Sequence, residues 1–176
     1  MFVAQQHSIF SGFAYDFLEP SGLQVGTLTW PDVAVARNAR LKNHVPRFLS
    51  TKLEIKHQGQ AYAIEFEYLS REWSNHIGFS LKDGDTTLAS AHVGRTSHQF
   101  KRPTITLTAP FEGLVIRKSS LFTTRYEVTR GATVIGSIAS EARLTLKRKL
   151  FIDLPDDIPA PVQFFLFFLV CNHAYR

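Results

Sequence analysis

The side chains in this chain best suited to chemistry are cationic. Arg143, Lys147, Arg148 and Lys149 fall within seven residues, and Lys101-Arg102 and Arg117-Lys118 add two further pairs. Residues 95–149 carry 11 Lys and Arg against 3 Asp and Glu, whereas residues 1–94 carry 8 against 9 and residues 150–176 carry 1 against 3. A positive excess of that density attracts phosphate, on nucleic acid or on an anionic membrane surface. It is also compatible with a solvated face that has no partner. Nucleic-acid sites usually bring aromatic rings into the basic surface for base stacking, and only Phe100 and Phe122 lie nearby. Anionic lipid headgroups need the charges alone, so they are the partner expected first.

Other constellations point away from catalysis. The chain contains no G-x-S-x-G, G-x-x-x-x-G-K-[ST], G-x-G-x-x-G or H-E-x-x-H motif. His92 and His98 share strand parity, but six residues of strand separate them by about 20 Å, too far to chelate one metal. Asp83-Gly-Asp85 resembles the start of a calcium loop, yet Thr86, Thr87 and Leu88 follow where further ligands belong, so a hairpin turn is the better reading. Asp153, Asp156 and Asp157 precede an apolar run, where carboxylates serve the start of a helix. Cys171, the one cysteine, lies inside that run and behaves there as a small hydrophobe. No cofactor and no metal are implied.

The elements that must carry the cations are strands. Leu53, Ile55 and His57 alternate with charged residues, Gln58-Gly59-Gln60 turns the chain, and Tyr62, Ile64, Phe66 and Tyr68 form the inward row of the return. Ile77–Leu81 and Ala89–Val93 make another hairpin around Asp83-Gly84-Asp85. Further strands are expected at Leu23–Trp30, Thr104–Thr108, Leu114–Ile116, Phe122–Val128, Thr133–Ile138 and Leu144–Ile152. Residues 33–46 are ambiguous between a short helix and irregular structure. An internal echo links Gly22-Leu-Gln-Val-Gly26 to Gly131-Ala-Thr-Val-Ile-Gly136, each a turn glycine followed four or five residues later by a strand glycine.

The C-terminus is different. From Val162 to Cys171 only Gln163 is polar, and four residues are phenylalanine. Pro161 suits the first turn of a helix. A helix over about 159–173 would be apolar on every face and must be surrounded. At about 1.5 Å per residue it spans roughly 15–20 Å, short of the roughly 30 Å of a bilayer core. Protein must therefore surround it. A closed antiparallel barrel of about twelve strands is wide enough to hold such a helix and leaves no exposed strand edges. The expected fold is mainly β, one domain over 1–176, with the helix at its centre.

The segment from Phe122 to Ile138, with its Y-x-V, turn glycine and I-G-x-I pattern, together with Ile152 to Cys171, resembles the tubby-like superfamily. That superfamily includes the tubby C-terminal domain, the phospholipid scramblases and the LURP-one-related proteins, and the resemblance is to its small bacterial members. It covers about 55 residues and implies the same barrel-and-helix fold. With no catalytic motif in the chain, the expected function is a non-catalytic module that binds anionic lipid headgroups, on a membrane surface or as phosphoinositide, or another acidic partner. The single cysteine and the lack of an acidic segment do not match the palmitoylated, calcium-dependent scramblase pattern. No lipid-binding residue is carried over from the family. Read from its residues, the binding site comprises Lys101, Arg102, Arg117, Lys118, Arg143, Lys147, Arg148 and Lys149. Rival readings are an enzyme or carrier with a pocket at the barrel mouth near His173 and Tyr175, or a protein-interaction module. Without a basic leader or a membrane-length apolar run, the expected location is cytoplasmic, with peripheral attachment to a membrane.

Overall fold

The computed structural model describes residues 1–7, 13–30, 53–68, 77–94, 104–119, 125–140 and 148–174. The strands, in chain order, are β1 (Phe2–Gln6), β2 (Phe13–Leu18), β3 (Gln24–Trp30), β4 (Leu53–His57), β5 (Gln60–Tyr68) and β6 (Ile77–Asp83). They continue with β7 (Thr86–Gly94), β8 (Thr104–Leu107), β9 (Leu114–Lys118), β10 (Arg125–Arg130), β11 (Thr133–Ser140) and β12 (Lys149–Asp153). One helix is described, α1 (Ala160–Ala174). Each strand pairs antiparallel with its neighbours in sequence, and β1 pairs with β12 to close the barrel. The expected twelve-stranded barrel around a C-terminal helix is the fold observed.

Alternation explains the wall. In β4, β9 and β10 every second residue is buried, as a strand with one wet and one dry face requires. The inward rows include Leu53 and Ile55, Leu114 and Ile116, and Tyr126 and Val128. β1 went unrecognised among the expected strands because Phe-Val-Ala-Gln-Gln is short and has no turn partner behind it. Its register with β12, Phe2↔Ile152 and Ala4↔Leu150, joins residues about 150 positions apart in sequence. Of the expected strands at 122–128 and 144–152, residues 122–124 and 144–147 lie outside the described residues, and the described parts belong to β10 and β12. Residues 33–46 lie outside the described residues.

Helix α1 runs down the lumen. Phe164 through Cys171 are all fully buried. Phe164 stacks on Phe17 at 3.9 Å and 3°, and meets Phe2 edge-on at 5.1 Å. Phe167 meets Tyr15 and Phe17 edge-on, and Phe168 does the same to Phe79 and Trp30. The Pro159 carbonyl accepts from the Val162 and Gln163 N–H groups at 2.9 and 3.0 Å, which starts the helix. Gln163, the polar exception, is also buried. Its Nε2 donates to the Ile158 carbonyl at 2.8 Å and reaches that of Pro155 at 3.4 Å, tying the turn to the helix, while Oε1 finds no partner among the described residues. The first turn holds no acidic residue; Asp157 instead pairs with Arg130 at 2.9 Å.

The echo noted in the sequence is a repeated hairpin. Gly22 and Gly131 occupy turns at φ +88° and +61°. Gly26 and Gly136 lie opposite Phe17 and Val128, each beside a register shift. A third hairpin, β6–β7, carries the same shift after Leu81, with Ala89 opposite it. The three stand four strands apart around the barrel. Each sets a large inward side chain against a small one, and bulges of this kind bend a strand and increase its twist. At Gly26 a Cβ would approach the Lys56 carbonyl to 2.7 Å and the Phe164 ring to 3.0 Å. Phe168→Ala should therefore cost about 3–5 kcal/mol in denaturant unfolding. Gly26→Ala, whose methyl meets backbone as well as ring, should cost about 1–3 kcal/mol. A midpoint unchanged in both would place the helix outside the core.

Candidate anion-binding end

Strand direction sorts the connections between the two ends of the barrel. At the end where α1 begins, the leading end, turns 19–23, 58–59, 84–85, 108–113 and 131–132 join strands, and 154–159 leads into the helix. All five positive-φ glycines lie there. At the trailing end, where α1 stops, β1, β3, β5, β7, β9 and β11 end; residues 8–12, 31–52, 69–76, 95–103, 120–124 and 141–147 lie outside the described residues.

The eight cations named from the sequence divide accordingly. Lys101, Arg102, Arg143 and Lys147 lie outside the described residues. Arg117 and Lys118 end β9 and Arg148 and Lys149 open β12, so all four are at the trailing end. Arg117 faces outward and is exposed, whereas Lys118 follows Leu114 and Ile116 on the inward row and is half-buried. Arg148 shares inward parity with Leu150 and Ile152, and Lys149 faces outward with its Nζ 5.8 Å from the Phe151 ring centre. One cation was missed: Arg125, exposed at the start of β10. The Tyr126↔Lys118 pairing sets it beside that lysine, and its carbonyl accepts from the Ser119 N–H at 2.9 Å and from Ser119 Oγ at 3.1 Å. The signal was available, because Arg125 follows from drawing the β9–β10 hairpin in register. Arg117 is the register partner of Glu127, yet neither Arg117 nor Arg125 forms an ion pair among the described residues. Glu112 lies at the opposite end, and Glu141 lies outside the described residues.

The inward rows divide the trailing mouth in two. On β3, β4, β6, β7 and β8 they end in Trp30, Leu53, Ile77, Val93 and Ile105. On β9 through β12, then β1, they end in Lys118, Tyr126, Ser140, Arg148 and Gln6. That side of the mouth is thus a polar crescent with two cations. The helix C-terminus carries partial negative charge and unbonded carbonyls, which cations stabilise. Cys171 lies beneath this crescent: burial pushes its thiol strongly up, only partly offset by the Arg148 charge and a hydrogen bond with Tyr15.

The described residues bring no three His, Cys, Asp or Glu side chains together as a metal site would. No described helix is long and apolar enough to cross a membrane. Of the proposed mouth pocket, Tyr175 and the His173 side chain lie outside the described residues. No protein-family model, curated protein or solved structure matches this chain.

Since the thiolate is the reacting species, Cys171 should resist thiol reagents at pH 8 in the folded protein. Labelling should proceed at least about a thousandfold faster in denaturant, the ratio set by global stability. A thiol whose folded pKa is raised contributes stability that is complete below its unfolded value, about 8.5, and is lost as pH rises above it. The parent should therefore lose stability relative to Cys171→Ala between pH 8 and 10. Denaturant titrations giving a constant difference between the two proteins would show that the thiol is not buried.

Proposed function

We propose that this protein is a non-catalytic barrel module that binds anionic membrane surfaces, attached peripherally from the cytoplasm. The observation that carries the reading is the gathering of Arg117, Lys118, Arg125, Arg148 and Lys149 at one end of the barrel. Arg117 and Arg125, both exposed, have no carboxylate partner among the described residues. Cations near an anionic leaflet contribute about 1 kcal/mol each, so the outward-facing Arg117, Arg125 and Lys149 give affinity without a fitted pocket. The resemblance to the tubby-like superfamily, whose tubby domain binds phosphoinositides through basic side chains, supports the same partner class.

Sedimentation with vesicles of phosphatidylserine and phosphatidylcholine tests it. Binding should be strong at low salt and weaken toward physiological ionic strength, where the Debye length is about 8 Å. Arg117→Glu combined with Arg125→Glu should abolish it while moving the melting temperature little, because exposed charges add little stability. Failure to bind acidic vesicles even at low salt would remove the proposal. Tighter retention on a single-stranded oligonucleotide than on vesicles would transfer the site to nucleic acid.

A further inference from the structure

We infer that the barrel docks end-on, with the trailing end against the membrane and its axis steeply inclined to it. This rests on the membrane-binding reading and specifies the surface used. The turns and helix lead-in at the leading end contain Glu19, Asp85, Glu112, Asp156 and Asp157 and no Lys or Arg. Arg130, at the end of β10, is engaged by Asp157 at 2.9 Å. At the trailing end the charges on the described termini are Arg117, Lys118, Arg125, Arg148 and Lys149 on β9, β10 and β12, against Glu54 on β4 and exposed Glu67 on β5. The flank between them offers little net charge, since Lys56 pairs with Glu54 at 3.5 Å and Lys82 with Glu65 at 3.0 Å.

Distance decides the orientation. The fifteen residues of α1 set the barrel height at roughly 22 Å. That is between two and three Debye lengths at physiological salt. With the trailing end down, the carboxylates at the leading end lie beyond the reach of the leaflet potential and oppose binding weakly. With the barrel on its side, both ends lie within reach and the carboxylates repel the surface.

Two measurements test the pose. Cys171 is buried, so cysteines placed at exposed His7 near the trailing end and exposed Ser21 in a leading-end turn can be labelled selectively. On phosphatidylserine vesicles, a headgroup-located quencher should quench a fluorophore at His7→Cys severalfold more than one at Ser21→Cys. Neutralising the far end with Asp85→Asn and Glu112→Gln should change vesicle affinity less than twofold. Side-on docking requires severalfold tighter binding for that variant and comparable quenching at both labels, and either result would overturn the pose. Sedimentation of the same samples separates the failures. Bound protein with the wrong quenching pattern refutes the orientation alone, whereas no bound protein refutes the membrane reading with it.

Discussion

A helix that is apolar on all sides can exist in water only if something encloses it completely, and every large feature of this fold answers that requirement. A sheet covers one face of a helix; a closed sheet covers all of them. With twelve strands the lumen is wider than side chains alone would fill, and α1 fills it with phenylalanine. The contact is mutual: Phe17, Phe79 and Trp30 of the wall hold Phe164, Phe167 and Phe168 of the helix in edge-on and stacked arrangements. Without the helix the wall would enclose a void. Without the wall the helix would aggregate.

Room for the helix is made locally. Gly26 admits Phe164, and the register shifts beside Gly26, Ala89 and Gly136 bend three hairpins at equal spacing around the barrel. A uniform wall of branched residues would leave Phe164 no space beside Phe17. The shared turn glycine, bulge and small inward residue make these hairpins one design used three times, with the third disguised in sequence by alanine.

The two ends have different characters. Tight turns and carboxylates collect where the helix begins, and cations collect where it stops. Both placements complement the helix dipole, so charge segregation along the axis serves the fold and at the same time leaves one end attractive to anions. Cys171 is fully buried, and a neighbouring arginine and a tyrosine hydroxyl only partly offset the upward push that burial gives its thiol.

What could be read from residues alone followed from short-range rules. Period-two alternation located most of the strands, turn glycines located the hairpins, and an apolar run too short for a bilayer demanded a protein enclosure. Closure was another matter. Phe2–Gln6 is unremarkable as sequence, and its pairing with Lys149–Asp153 depends on the accumulated twist and register of ten intervening strands. The same holds for the candidate site. Charge counting found Arg117, Lys118, Arg148 and Lys149, but a count cannot tell that β9 ends and β12 begins at the same mouth. Nor can it tell that Lys118 and Arg148 turn inward while Arg117 and Lys149 turn outward. It overlooked Arg125 because that residue stands alone in the chain and gains neighbours only across the hairpin. Composition and periodicity determined what this chain must bury. Only the closed sheet decided which of its charges would stand together.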